Sequence, residues 1–93
     1  MKHLSDLKNV GKATLDDLHL LDIHTIEELS NKDPTDLFQE LEKRTQKRQD
    51  PCVWDVFAAI IHEASTGEPT PWWEWTNKRK ILQKNGLMNH VIL

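Results

Sequence analysis

Apolar positions along the chain recur at the spacing of helices. In residues 51–65, Val53, Val56, Phe57, Ile60 and Ala64 fall within one stripe at about 100° per residue, Trp54 and Ile61 widen it, and Asp55 and His62 point the opposite way. This pattern predicts an amphipathic helix at the centre of the core. No stretch sustains the polar/apolar alternation and β-branched enrichment of a strand, so the expected class is all-α.

Capping residues divide the rest. Thr25-Ile26-Glu27-Glu28 has the form of a capping box, in which the threonine oxygen and the glutamate each satisfy an orphaned backbone donor. Asp33-Pro34, Asp50-Pro51 and Thr70-Pro71 each set a capping side chain before a proline at the first helical position. Asn85-Gly86 reads as a left-handed end to the last helix. The predicted helices are residues 3–8, 12–21, 25–31, 34–48, 51–65 and 71–84. They form a single domain over residues 1–86, followed by an apolar tail, residues 87–93, that either docks on the body or serves as an oligomer contact. The oligomeric state stays open.

Charge adds an asymmetry. Residues 1–42 hold ten acids against four bases, and residues 43–93 hold eight bases against five acids, for a net charge of −3. The bases of the second half form two groups, Lys43, Arg44, Lys47, Arg48 and Lys78, Arg79, Lys80, Lys84. Each group reads either as a solvated helix face or as a surface for a polyanion. On a continuous helix, Lys43 with Lys47 and Arg44 with Arg48 are repelling i,i+4 pairs, which Glu40 relieves locally for Lys43 and Arg44.

The longest apolar run, residues 56–61, is far shorter than a membrane span, and the amino terminus carries charges where a signal peptide needs an apolar core. A soluble, cytoplasmic protein with no membrane partner is expected. The lone Cys52 agrees with a reducing compartment and reads as a small buried thiol.

The stretch LKNVGKAT, residues 7–14, poses the functional question. Asn9-Val10-Gly11 turns the chain between a helix carrying Leu4 and Leu7 and one carrying Leu15 and Leu18, with left-handed dihedrals expected at Gly11 and tolerated at Asn9. Val10 anchors the turn in the core. The backbone N–H groups of Gly11, Lys12 and Ala13 stand at a helix start without partners inside the helix, at the positive end of its dipole, where they suit a phosphate oxygen. Lys12 adds a charge beside them. Asp16 and Asp17, one turn on, compete for the same field. The turn is therefore either a phosphate cradle or a plain packing corner.

This stretch resembles the helix-hairpin-helix motif of DNA-binding proteins, with Lys8 and Asn9 in place of the motif's proline and first glycine. Residues 20–41, LLDIHTIEELSNKDPTDLFQEL, resemble a second, degenerate unit with Asp22-Ile23-His24 as its turn, similar also to a unit in the C-terminal domain of the bacterial RNA polymerase alpha subunit. Asp22 would repel a phosphate there. VGKA, DIHT, DPTDLF, RQDPCVWDVFAAI and PWWEWTNKRK together resemble the small bacterial pathogenicity-locus family, sometimes labelled mitomycin-resistance proteins, over residues 4–80. The resemblance implies an all-α helix-hairpin-helix (SAM-like) domain with one intact and one degenerate hairpin unit plus C-terminal helices. Helix-hairpin-helix loops in related proteins can hold a monovalent cation on backbone carbonyls, which here would be those of Leu7, Asn9 and Gly11; whether one sits at this turn stays open.

Three of the four tryptophans lie within residues 72–75. On a helix from Pro71, Trp72, Trp75, Thr76 and Arg79 share a face, so Arg79 is expected to stack on an indole. Two rings are expected to plug the domain end, with Trp73 left outside. A ring beside Lys78, Arg79 and Lys80 suits an unpaired base or a partner's apolar groove. Catalysis has no candidate residues: Cys52 and His62 stand about 15 Å apart along one helix, and His19 and His24 lack the spacing of a helical metal pair.

The expected function is non-catalytic, sequence-independent DNA binding, without metal or cofactor. Asn9, Val10, Gly11, Lys12 and Ala13 make the phosphate contact, Lys43, Lys47, Lys78 and Lys80 support it, and Trp73 and Arg79 are the stacking or partner residues. The rival expectation is a protein-interaction adaptor whose turns are purely structural and whose tryptophan surface or apolar tail meets another chain.

Overall fold

The computed structural model describes residues 3–85, so Gly86 and the apolar tail lie outside the described residues. A single 3₁₀ turn, Leu4–Asp6, is followed by α1 (Lys12–Leu20), α2 (Ile26–Ser30), α3 (Pro34–Thr45) and α4 (Cys52–Thr66). A second 3₁₀ turn, Trp72–Trp75, then runs directly into α5 (Thr76–Lys84). No strand occurs among the described residues, and the fold is all-α.

Local signals account for most of these boundaries. The Thr25 hydroxyl accepts the Glu28 N–H at 3.1 Å, and Glu28 Oε1 accepts the Thr25 N–H at 3.1 Å, which closes the capping box. Asp33 Oδ1 accepts the N–H groups of Thr35 and Asp36 ahead of α3, and Asp50 Oδ1 accepts that of Cys52 ahead of α4. Gly67, at φ +80°, ends α4 with its N–H on the Glu63 carbonyl.

Other boundaries differ from the pattern in the sequence. The expected helix over residues 3–8 is one 3₁₀ turn, because the backbone is extended again at Leu7. Helix α3 stops at Thr45, where Gln46 turns left-handed at φ +55°, so Lys47 and Arg48 are not helix neighbours of Lys43 and Arg44. Thr70 does not cap the segment after Pro71; its hydroxyl accepts the Trp75 indole N–H at 3.0 Å.

Helix α4 packs against α2, α3, the tryptophan turn and α5, so it is enclosed rather than amphipathic. Asp55, expected on its outer face, is 0% exposed. Its Oδ1 accepts Arg79 Nε at 2.8 Å and its Oδ2 accepts the Thr76 hydroxyl at 2.7 Å. Arg79 is itself buried, at 9% exposure. A buried carboxylate needs such donors because its desolvation goes otherwise uncompensated. Trp54 meets the same demand by donating its indole N–H to Thr35 on α3 at 3.0 Å.

Leaving either charge of this pair alone in the core is costly. Arg79→Leu is expected to lower stability by about 3–5 kcal/mol, as for other broken buried pairs. Adding Asp55→Leu to it should recover much of that loss, since no lone charge then remains. Urea unfolding of the two single variants and the double variant measures the coupling, and additive losses would contradict it.

Candidate nucleic-acid interface

The first corner is built by Leu7, Asn9 and Val10. The Val10 N–H donates to the Leu7 carbonyl at 3.3 Å, and Val10 packs against the core. The left-handed residue is Asn9, at φ +74°; Gly11 caps α1 at φ −96°, extended backbone open to any residue. The expectation of left-handed dihedrals at Gly11 is thus corrected. Asparagine both tolerates the strained position and fixes it, because its Nδ2 donates to the Thr70 carbonyl at 2.8 Å. The Lys8 N–H donates to Glu63 Oε1 at 2.8 Å, so a buried glutamate of α4 fastens the corner from beneath.

The N–H groups of Gly11, Lys12 and Ala13 have no acceptor among the described residues, and all three residues are exposed. A Cβ built on Gly11 meets nothing within 4 Å. Lys12 is 92% exposed at its side chain and stands 3.7 Å from Asp16, a weak surface pair. Burial, and then the neighbouring Asp16 carboxylate, push the Asp17 carboxyl above its ordinary range.

The second corner shares one backbone feature with the first and differs in its chemistry. Asp22 is left-handed at φ +62°, and the next residue, Ile23, is buried, as Val10 follows Asn9. Glu28 Oε1 takes the N–H groups of both His24 and Thr25 at the start of α2, and the His24 N–H leads the causes that hold the Glu28 carboxyl below its usual range. Arg44 covers the other side, donating to the Leu20 carbonyl at 2.7 Å, to Asp22 Oδ2 at 3.2 Å and to Glu40 Oε1 at 2.9 Å. His19 and His24 stack with ring centroids 5.1 Å apart, so their in-plane lone pairs do not converge on one ion. No cluster of three or more metal-ligating side chains exists among the described residues.

The tryptophans sit on the tight turn. Trp75 packs on the core, with Lys78 Nζ 5.6 Å from its ring centroid. Trp72 and Trp73 meet edge to face at 5.8 Å, and Trp73 is 62% exposed, outside the core as its sequence position suggested. Arg79 stacks on no indole: it is committed to Asp55 in the interior, so the sequence assignment of Arg79 to a partner-facing surface is corrected.

A shallow groove of about 520 Å³ joins the two regions, lined by Lys8, Asn9, Val10, Gly11, Val56, Trp72 and Trp73. The structure thus brings the first corner and Trp73 together. Lys43, Lys47, Lys78 and Lys80 are exposed but do not line it; Lys78 lines a separate groove between α3, α4 and α5. Lys8, Trp72 and Val56 belong to the site without having been singled out for it in the sequence, and so does Glu63 beneath it. Glu63 had a readable signal, since it follows Val56 and Ile60 along the apolar stripe, where a carboxylate requires an internal partner.

Among the described residues no helix is long and apolar enough to cross a membrane. No solved structure matches the chain. It is similar to the mitomycin resistance protein McrB of Streptomyces lavendulae, 30% identical over 79 residues that cover 85% of this chain and 75% of that protein. The family model described as "Pathogenicity locus" matches residues 1–81. Together these place the chain in a family that the sequence motifs already resembled: it belongs to the pathogenicity-locus family.

Proposed function

We propose that the protein is a non-catalytic, sequence-independent DNA-binding domain of the helix-hairpin-helix type, which holds a phosphate at the start of α1. One observation carries this reading. The two corners share a left-handed residue followed by an aliphatic one, but at the second Glu28 takes the N–H groups of His24 and Thr25, whereas at the first those of Gly11, Lys12 and Ala13 stay open, beside the Lys12 side chain and at a residue without one. Such contacts fix position on a nucleic acid and read no base edges, hence the lack of sequence specificity. Lys43, Lys47, Lys78 and Lys80 act at longer range, through the field of the more basic second half.

The rival reading, a protein-interaction adaptor, draws on the exposed Trp73 and Ile81. Salt dependence of DNA binding set against the size of the protein in solution separates the two. Non-specific binding of about 10⁻⁴ to 10⁻⁶ M near physiological salt is expected, given the acid-rich first half. A sequence-selective nanomolar complex would contradict it.

Two substitutions at the corner test the phosphate contact. Lys12→Ala should change stability by no more than about 0.5 kcal/mol, as for a surface site. It should also make the slope of log K against log salt shallower by about 0.9, for one lost contact. Gly11→Val enters open space at an ordinary φ, so it should cost about 1 kcal/mol of stability at most, through a poorer helix cap. Its side chain should nevertheless weaken DNA binding by filling the approach. An unchanged slope and affinity in both variants would leave the corner as architecture.

The non-catalytic part of the reading is tested at Cys52. Burial, with the Asp50 carboxylate adding to it, pushes this thiol above its ordinary pKa, so little thiolate exists at neutral pH. Alkylation by iodoacetamide at pH 7 is expected to run slower than that of free cysteine. A faster reaction would reveal an activated nucleophile.

A further inference from the structure

We infer that the groove between the first corner and the tryptophan turn accepts an unpaired nucleobase against Trp73, so that the preferred ligand is single-stranded nucleic acid. This rests on the proposed phosphate contact and names the strand state that the contact serves.

Charge favours an anionic occupant here. In a chain with 15 acidic residues, the groove between α3, α4 and α5 sets Asp33 against Lys78, and one around α3 sets Asp33, Asp36 and Glu40 against Lys32 and Arg44. The groove at the first corner has Lys8 on its rim and no carboxylate in its lining. Glu74, beside Trp73 in sequence, is exposed and does not line it.

The two walls differ in kind. One is formed by Lys8 to Gly11, where the Gly11 N–H is open, and the other by the pair of indoles, with Val56 also in the lining. Trp54 and Trp75 donate their N–H groups inside the protein, whereas those of Trp72 and Trp73 have no acceptor among the described residues. Trp72, edge-on at 82°, orients the Trp73 ring by packing while leaving it exposed. A nucleotide has the same two-sidedness, a flat ring at one end and a phosphate at the other. An aliphatic partner would leave the open Gly11 N–H without an acceptor. A duplex keeps its base faces inside its own stack, so only an unpaired nucleotide offers a ring to Trp73.

The test uses the full chain with a fluorescein-labelled oligothymidylate and a duplex of equal length, read by anisotropy at low salt. Tighter binding of the single strand is expected. Trp73→Ala should weaken it by about 5- to 150-fold, the loss of one stacked base, with little effect on the duplex. Trp73→Phe should retain most of the affinity. Trp73→Leu, which keeps apolar bulk without a π-face, should not, and it stands in for the alanine variant should that one fail to unfold cooperatively.

Binding of the single strand unchanged in the leucine variant, or a preference for duplex, overturns the inference. Should duplex binding keep a salt slope that depends on Lys12 while the Trp73 variants match the parent on oligothymidylate, the stacking inference alone falls. Should neither probe bind, the phosphate contact falls with it. A dimer in sedimentation that dissociates on Trp73→Leu would make this surface a contact between copies and overturn the inference as well.

Discussion

A carboxylate removed from water must find donors, and α4, enclosed by its neighbours, carries two of them. Asp55 and Glu63 stand eight residues apart, about 12 Å along the axis, and each takes hold of a different part of the chain. Asp55 takes Arg79 and Thr76 and so draws α5 onto the core. Glu63 takes the backbone N–H of Lys8 and draws in the first corner. The groove follows from this arrangement: one wall belongs to the corner that Glu63 holds, the other to the tryptophan turn that leads into α5, and Val56 of α4 is also in the lining. Asn9 adds a direct link between the outer pieces by bonding the Thr70 carbonyl just ahead of the tryptophan turn. The geometry of an exposed surface is thereby set by charges that never reach it.

The two corners separate what the fold requires from what a ligand would require. Packing needs a left-handed residue followed by an aliphatic one, and Asn9-Val10 and Asp22-Ile23 both supply that. Neither uses glycine for it. Gly11 is not demanded by dihedral angle or by crowding, which leaves close approach from outside as a physical use for its missing side chain. At the second corner Glu28 takes the His24 and Thr25 N–H groups and Arg44 the Leu20 carbonyl from within, and the resulting network joins α1, α2 and α3. That corner is complete as architecture.

What the sequence made legible was local. The Thr25 to Glu28 box and the Asp33 and Asp50 caps act over two or three residues, so their residue types suffice to place them. Arg79 was misread because its partner lies 24 residues away on a helix whose hydrophobic stripe seemed to leave Asp55 outside. A stripe assumes a solvent side, and at Asp55 α4 has none. The groove was hidden for the same reason: its walls are about sixty residues apart, and the bonds that join them, Lys8 to Glu63 and Asn9 to Thr70, involve one buried glutamate and one backbone carbonyl. The tryptophan turn shows how short-range geometry matters as well. Three residues per turn set Trp72 and Trp75 on one side and leave Trp73 outward.

The proposed contact is weak by construction, and the reason lies in the balance of charge around it. Open N–H groups and one lysine draw an anion in, while Asp16 competes for that lysine and the first 42 residues hold ten acids against four bases. The basic residues that would offset this lie in the second half and outside the groove, so they raise the field without adding a directed bond. A flat indole adds affinity that any base satisfies, and backbone donors recognise any phosphate. Each element of the site therefore tolerates sequence, and selectivity is left to the strand's conformation, which decides whether a ring face and its phosphate can reach the two walls together.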